Sequence, residues 1–250
     1  MAKEELKFPF DPLQGAHEVE AKVMRGQKRL YYRFRPAPYY GGIATADAVG
    51  CAFLCAYCWN YNRNLYPERH HTFYSPQQVA SELLSIAQKK SFRLFRVSGA
   101  EPMLGKKSVD HLMDVLEIIH LNRPDSLFIL ETNGFFFGYR PELCQGFKKF
   151  HNLRIRVCLK GVDEDSFEQI TGAKKNAFLF PIKALKQLKK IGISAWPALM
   201  KDLFSSQDIK KLKTTLKANG ISPEIEGESL EAYPFVIKNM KKRHIKIKNQ

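Results

Sequence analysis

The sequence has few cysteines, few acidic residues and no long apolar run, and each shortage excludes a class of protein. Five cysteines in 250 residues are an odd number, whereas a disulfide framework needs an even and dispersed set. No apolar run approaches the roughly 20 residues that cross a bilayer. The charged start, residues 1–7, lacks the apolar core of a signal peptide. We therefore expect a cytoplasmic protein with no membrane segment.

Acidic residues are scarce, since 25 Asp and Glu stand against 40 Lys and Arg, and the formal net charge is +15. The basic residues concentrate in two stretches, one from Lys22 to Arg35 and one from Lys238 to Lys248. Such patches suit phosphate backbones, acidic partner proteins or acidic substrates. A solvated basic surface without a specific ligand would explain the same charge.

Short apolar segments alternate with segments of helical periodicity, and this pattern recurs about six times along the chain. Alternation of this kind indicates a parallel sheet. We predict an α/β fold, a partial (β/α)6 barrel over residues 41–227, with an N-terminal extension, 1–40, and a basic C-terminal tail, 228–250. The predicted strands are 43–49, 92–98, 127–130, 153–159, 193–200 and 221–225. The predicted helices begin at Ser75 and at residues 108, 141, 164, 178 and 205.

Three of the five cysteines crowd into one loop directly after the first predicted strand of the barrel. Cys51, Cys55 and Cys58 form the pattern CxxxCxxC. Three thiolates can hold three irons of a cubane cluster and leave the fourth iron open to a small chelating molecule, whereas clusters held wholly by protein use four cysteines. The alternatives are a zinc site completed by His70 or His71, or a loop of idle thiols. Zinc sites want a second ligand pair, and the sequence contains no second CxxC pair.

The cysteine loop resembles the signature of the radical S-adenosylmethionine (radical SAM) superfamily, in which an aromatic residue precedes the third cysteine. Tyr57 fills that position. The resemblance implies an oxygen-sensitive [4Fe–4S] cluster on Cys51, Cys55 and Cys58, with S-adenosylmethionine bound to the open iron. It also implies reductive cleavage of S-adenosylmethionine to a 5′-deoxyadenosyl radical that abstracts hydrogen from a substrate. Tyr57 and Trp59 are then expected to lie against the adenine.

Three further motifs follow the next three strands, at the strand ends where barrels of this kind place their chemistry. Gly99, Ala100, Glu101 and Pro102 resemble the family's GGEP motif, which binds the methionyl amino group; here alanine replaces the second glycine. Glu131 and Thr132 precede an Asn-Gly turn and are candidates for the ribose hydroxyls or the sulfonium region, although an ordinary turn explains them equally well.

Lys160 follows the fourth predicted strand in a stretch that resembles the pyruvate formate-lyase activating enzyme-like branch of the superfamily. The resemblance implies a charge-assisted contact between Lys160 and the methionyl carboxylate. Cys158 stands where activating enzymes commonly carry aspartate, and there is no second ferredoxin-like cysteine insert. Both departures weaken the assignment to activating enzymes.

The sequence leaves the substrate open. One hypothesis is hydrogen abstraction from a protein glycine. A second is modification of transfer RNA, because basic and aromatic residues alternate from Arg29 to Arg35 and could contact phosphates and stack bases. A third is a non-enzymatic iron–sulfur or zinc module. The basic surface would also suit an acidic electron donor such as ferredoxin or flavodoxin, because complementary charge speeds encounter.

Overall fold

A computed structural model describes residues 7–248 of the chain. Residues 1–6, which carry most of the charged start used above to predict the absence of a signal peptide, lie outside the described residues, as does the very end of the predicted tail. Within residues 7–248, nine strands form one mixed sheet. The strands are β1 (Met24–Arg25), β2 (Lys28–Ala37), β3 (Ile43–Ala48), β4 (Phe73–Tyr74), β5 (Leu94–Ser98), β6 (Leu127–Thr132), β7 (Leu153–Leu159), β8 (Ala195–Met200) and β9 (Glu226–Glu228).

The order of strands in the sheet is β1-β2-β3-β5-β6-β7-β8-β9, with β4 paired to β2. Neighbours from β3 to β9 pair in parallel. On the other side β2 pairs antiparallel with β3, and β1 and β4 pair antiparallel with β2. The sheet does not close on itself. The prediction of an α/β partial barrel with parallel strands is confirmed, with an antiparallel edge that the sequence pattern did not indicate.

Ten helices connect or cover the strands in the described part of the chain. Most of them lie between consecutive parallel strands, as the right-handed crossover of such sheets requires. They are α1 (Pro12–Val23), α2 (Tyr61–Leu65), α3 (Pro76–Lys90), α4 (Lys106–Asn122), α5 (Phe135–Tyr139), α6 (Cys144–Phe147), α7 (Glu164–Thr171), α8 (Leu179–Lys190), α9 (Ser206–Ala218) and α10 (Pro234–Lys242).

Local sequence signals explain where the helices begin and end. The Ser75 side chain accepts a hydrogen bond from the backbone amide of Gln78, and the Gln78 side chain accepts one from the backbone amide of Ser75, which forms a capping box. Proline follows at the first helical position of α3. Helix α7 ends at Gly172, which has φ of 73°, in the left-handed region that glycine tolerates. The predicted helix starts near residues 75, 164 and 205 are confirmed by these caps.

Two predicted elements differ from the structure. The last strand is β9 rather than 221–225, because Pro223 lacks the amide proton that pairing needs, while Ile221 and Ile225 are buried as anchors of the connection. The helix predicted for 141–150 is only a 3₁₀ turn followed by the four residues of α6, which contain Gly146.

The two ends of the chain also contribute to the packing. Strand β2, within the predicted N-terminal extension, pairs with β3 along most of its length. Within the predicted basic tail, α10 buries Val236 and Met240, and the backbone amide of Lys248 donates to the carbonyl of Asp202 at 2.8 Å. Residues 12–37 and 234–248 therefore belong to the same packed body as the sheet.

The faces of the sheet differ in chemistry. Side chains such as Phe95, Leu130 and Val157 belong to the main hydrophobic core together with the helices. Many of the alternate side chains of the same strands are charged, because successive residues of a strand point to opposite faces, although Ile43, Leu94 and Ile129 form a small apolar cluster there. We call this second set the polar face; its members are Asp47, Arg96, Glu131, Arg156, Glu226 and Glu228.

Ion pairs join the side chains of the polar face. Arg96 donates to Glu131 at 2.8 Å and to the hydroxyl of Thr45 at 2.9 Å. Arg156 pairs with Glu226 at 2.9 Å and with Glu228 at 2.6 Å. These contacts cross from strand to strand, so they tie the sheet together on the side away from the helices. Within residues 7–248, no helix combines the length and apolar character that crossing a membrane requires.

Candidate active site

The cysteine loop begins at Gly50, directly after β3. Gly50 has φ of 94°, and a Cβ atom there would lie 2.7 Å from Val19 and 2.8 Å from Val23 of α1, so only glycine fits. The backbone amide of Gly50 donates to the side chain of Asn64 at 3.1 Å. Its carbonyl accepts from the backbone amide of Glu101, also at 3.1 Å. The start of the loop is thereby held against both α2 and the segment that follows β5.

The middle of the cysteine loop is hydrogen-bonded to the C-terminal end of α7. The backbone amides of Leu54 and Ala56 donate to the carbonyls of Thr171 and Ile170 at 3.1 and 2.9 Å. The Ile170 carbonyl also accepts from the guanidinium of Arg243 at 2.8 Å. These bonds fix the backbone on both sides of Cys55.

Both ends of the described chain support the same turn. The backbone amide of Phe10 donates to the carbonyl of Gly172 at 2.9 Å. The guanidinium carbon of Arg243 lies 4.2 Å from the ring centroid of Phe8. The turn that holds the cysteine loop is therefore pinned by residues far away in sequence.

The three loop cysteines are free thiols. Cys55 is buried, and Cys51 and Cys58 are half-buried. Burial raises the pKa of Cys51 and Cys55 to about 12 and the pKa of Cys58 to about 11. Because metals bind thiolates, loading with iron must displace these protons.

The remaining cysteines lie elsewhere. Cys144 is buried in α6. Cys158 is buried in β7 and accepts a hydrogen bond from Arg156 at 3.1 Å. Among residues 7–248, no three or more His, Cys, Asp or Glu side chains are arranged to hold a single metal ion. A cubane cluster spaces its three thiolates more widely than one ion does, so three thiols on one anchored loop suit the cluster in their chemistry and number.

The GAEP motif, residues 99–102, lies beside the cysteine loop. Gly99 has φ of 83°. Its carbonyl accepts from the side chain of Asn60 at 2.6 Å. Beneath the motif lies the buried guanidinium of Arg29, which donates to the carbonyls of Glu101 and Pro102 at 2.7 and 2.9 Å. Asn60 and Arg29 therefore hold the motif from two sides.

The side chain of Glu101 points into the protein. Its carboxylate accepts from the hydroxyl of Thr132 at 2.7 Å and from the backbone amides of Asn133 and Met103 at 2.7 and 3.1 Å. Burial raises the pKa of Glu101 to about 7. The carboxylate thus joins the GAEP motif to the turn after β6, and the backbone and small side chains of the motif are what a ligand would meet.

Glu131 and Thr132 lie within β6 rather than after it. Glu131 accepts from Arg96 and, at 2.7 Å, from the hydroxyl of Ser98, so both carboxylate oxygens have partners. Thr132 is buried and donates to Glu101. Their ribose or sulfonium contacts stay a prediction, and the structure gives both residues a part in joining neighbouring strands.

Lys160 is the residue that directly follows β7, half-buried at the strand end. Its ammonium lies 5.5 Å from the ring centroid of Tyr57. Burial alone would lower the pKa of Lys160, but Tyr57 and the carboxylate of Glu228 hold it well above its usual value. Lys160 makes no ion pair with any residue in the described part of the chain. A half-buried cation of this kind can receive the carboxylate of a ligand.

Two aromatic residues flank the third cysteine. Tyr57 is buried, and its hydroxyl has no hydrogen-bond partner among the described residues. Trp59 is half-buried, with the guanidinium carbon of Arg33 5.9 Å from its ring centroid. The structure thus brings Tyr57 next to Lys160, as expected of two residues of one cofactor site, whereas Trp59 faces Arg33.

The stretch from Arg29 to Arg35 is not a free nucleic-acid-binding arm. Arg29 is buried under the GAEP motif, and Tyr31 is buried with its hydroxyl 3.2 Å from His111 Nε2. Arg33 and Arg35 both pair with the buried carboxylate of Asp47, at 2.7 and 2.8 Å. Arg29 and Tyr31 therefore cannot contact RNA, because Arg29 pairs with β1 and β4 and Tyr31 pairs with β3, and both side chains are buried. For the other residues of the stretch the RNA hypothesis stays a prediction.

Sequence reasoning missed four residues that shape the site: Arg29, Asn60, Asn64 and Asn133. Arg29 is one of several basic residues in its stretch, and nothing in the sequence distinguishes it as the buried one. The asparagines gave a weak signal, since two follow the third cysteine closely and one belongs to the Asn-Gly turn.

Comparison with known proteins agrees with this geometry. The family model of the radical SAM superfamily matches residues 47–217. Because the match spans more than half of the chain, the protein belongs to the radical SAM superfamily. Enzymes of this family carry a [4Fe–4S] cluster and S-adenosylmethionine, so both cofactor predictions and the prediction of an iron–sulfur enzyme are confirmed at the level of the family.

Individual relatives are distant. GTP 3′,8-cyclase from Microcystis aeruginosa is 26% identical over 124 residues, covering 49% of this chain and 35% of that protein. SuiB of Streptococcus suis, bound to S-adenosylmethionine, has a TM-score of 0.56 at 15% identity over 81% of this chain and 41% of its own. A spore photoproduct lyase variant with bound AdoMet and dinucleoside spore photoproduct reaches a TM-score of 0.64 at 12% identity, over 87% of this chain and 65% of its own. The chain spans about a third of the curated relative.

Proposed function

We propose that this chain binds a [4Fe–4S] cluster through Cys51, Cys55 and Cys58 and uses S-adenosylmethionine to start radical chemistry on a substrate. When bound, the reduced cluster supplies one electron that cleaves S-adenosylmethionine to methionine and a 5′-deoxyadenosyl radical, which abstracts a hydrogen atom. The observation that carries the proposal is the anchoring of the cysteine loop directly to the GAEP motif, through Asn60 and the backbone of Gly50.

The residues of the chain take the following parts in this proposal. The backbone of Gly99, Ala100 and Pro102 receives the methionyl amino group, and Glu101 holds that backbone in register with the turn after β6. Lys160 receives the methionyl carboxylate, since its ammonium makes no ion pair within residues 7–248. Tyr57 lies against the adenine, and Trp59 is the second aromatic residue assigned to it. An acidic electron donor such as ferredoxin or flavodoxin delivers the electron to this basic protein.

Replacement of Lys160 by methionine tests the assignment of the carboxylate contact. Loss of a hydrogen bond to a charged group costs about 1.5–3 kcal/mol, so we expect S-adenosylmethionine to bind roughly 10- to 100-fold more weakly. The measurement is isothermal titration of the cluster-loaded protein with S-adenosylmethionine under anaerobic conditions.

The matched control for this experiment is Lys186→Met, because Lys186 is an exposed lysine of α8. It removes the same charge and is expected to bind S-adenosylmethionine like the unaltered protein. Equal affinity of the two variants would show that Lys160 does not contact the ligand.

For the hydrogen donor we propose a residue of a protein, with glycine as the candidate that the activating-enzyme-like motifs suggest. The competing RNA hypothesis has lost two of its residues, since Arg29 and Tyr31 are buried. The names of relatives do not favour one class, because one cyclises GTP and another was solved with a precursor peptide.

Transfer of deuterium identifies the class of donor. Cells of the organism that makes this protein would be grown in deuterated medium and separated into protein and RNA fractions. Each fraction would then be incubated with the enzyme, dithionite and unlabelled S-adenosylmethionine. We expect mass spectrometry to find deuterium in the 5′-deoxyadenosine formed with the protein fraction. Deuterium from the RNA fraction alone would reverse the choice of substrate, and no 5′-deoxyadenosine from cluster-loaded protein would favour the non-enzymatic module.

A further inference from the structure

Two asparagine side chains approach the sulfur atoms of the cysteine loop. Asn64 Nδ2 lies 3.8 Å from Cys58 Sγ, and Asn133 Nδ2 lies 3.9 Å from Cys51 Sγ. Asn64 belongs to α2, whereas Asn133 belongs to the turn after β6. Two different elements therefore each direct an amide toward a different cysteine of the loop.

The orientation of both amides is fixed by their other end. Asn64 Oδ1 accepts from the backbone amide of Gly50 at 3.1 Å, and Asn133 Oδ1 accepts from the backbone amide of Phe135 at 2.8 Å. A rotated amide would place its NH2 group against an N–H and leave both donors without an acceptor. The NH2 ends must therefore face the sulfurs.

Burial makes these contacts necessary. Asn64 and Asn133 are 5% and 4% exposed. A buried N–H without an acceptor costs about 1–3 kcal/mol. Neither Nδ2 atom has another hydrogen-bond acceptor among the described residues, so the cysteine sulfurs are the groups that satisfy them.

We propose that Asn64 and Asn133 are positioning residues that raise the reduction potential of the cluster by hydrogen-bonding Cys58 and Cys51. An N–H directed at a ligand sulfur stabilises the more negative, reduced cluster, and such bonds are an established means of tuning iron–sulfur potentials. The inference rests on the proposed function, because it requires the cluster to be held by these cysteines.

The test replaces each donor while keeping its acceptor. In Asn64→Asp and Asn133→Asp, one carboxylate oxygen can still accept from the backbone amide of Gly50 or Phe135. The other carboxylate oxygen then replaces the NH2 group and faces the cysteine sulfur. Asn62→Asp is the matched control for the added charge, because Asn62 lies exposed in the same helix as Asn64. The uncharged variants Asn64→Ala and Asn133→Ala separate the loss of the donor from the gain of charge.

Iron content and the midpoint potential are measured on reconstituted protein without S-adenosylmethionine, the potential by EPR-monitored redox titration. We expect all four substitutions at 64 and 133 to shift the potential to more negative values, and the aspartates to shift it further than Asn62→Asp does. In resonance Raman spectra, exchange into D2O should move the iron–thiolate bands of the unaltered protein and move them less in the variants.

Three results would overturn the inference. Potentials equal to that of Asn62→Asp, with unchanged deuterium sensitivity, would mean that the amides do not reach the cluster electronically. Folded variants that bind no cluster would mean that the asparagines hold the loop rather than tune the potential. An unaltered chain that binds no [4Fe–4S] cluster would overturn the proposed function, and the inference with it.

Discussion

Substitution of Cys55 by alanine is expected to abolish the intact cluster and, with it, release of 5′-deoxyadenosine. Cys55 is the most deeply buried of the three loop cysteines, and a cubane held by three thiolates cannot replace one from solvent. The unaltered protein should bind about four irons per chain after anaerobic reconstitution. The variant should bind far fewer irons and lose the broad visible absorption that such clusters give.

Cys144→Ala is the matched control for this prediction. Cys144 is also a buried thiol, but it lies in α6, away from the cysteine loop. We expect it to bind iron and form 5′-deoxyadenosine like the unaltered protein. A Cys55→Ala protein that retained the full cluster would refute the assignment of the ligands, whatever its activity.

The second large effect is expected on stability, from Arg96→Met. The Arg96 side chain is 5% exposed and its partner Glu131 15% exposed, so the substitution leaves a half-buried carboxylate whose remaining hydrogen bond comes from the hydroxyl of Ser98. Breaking a buried ion pair by removing one partner typically costs about 3–5 kcal/mol. Urea denaturation followed by circular dichroism should show this loss in the free energy of unfolding.

Arg93→Met serves as the control, because Arg93 pairs with Asp125 just before the same strand but with both side chains exposed, at 68% and 59%. Solvent and salt screen such a pair, so its removal should hardly change stability. If Arg96→Met were as stable as Arg93→Met, the polar face would not hold the strands together. The double variant Arg96→Met with Glu131→Leu should recover part of the loss, because it removes the unpaired charge.

The sequence predicts well what depends on neighbours along the chain. The helix that begins after Ser75 follows from a serine at the N-cap and a proline at the next position. The parallel order follows from the alternation of strands and helices, and the cysteine spacing identifies the cofactor. Because these signals lie in short stretches of sequence, they can be recognised without knowledge of the fold.

What the sequence does not show depends on contacts between distant residues. From the sequence, Arg29 is one basic residue among several, and only the pairing of β2 with β1 and β4 places it under the GAEP motif. Glu101 reads as a ligand-facing acid, but its partners Thr132 and Asn133 come from another strand end. The basic run near the C-terminus reads as solvated, yet Arg243 reaches the carbonyl of Ile170.

The support given by Arg243 to the cysteine loop has a consequence for biosynthesis. The loop is anchored on the carbonyls of Ile170 and Thr171, and the first of these is held in turn by Arg243, close to the end of the described chain. A growing chain folds from its N-terminus as it leaves the ribosome. The cysteines are translated early, but the loop gains its last support only when Arg243 has emerged. Iron delivered before that point would meet an incomplete site, so we expect cluster insertion only after the segment around Arg243 has been synthesised.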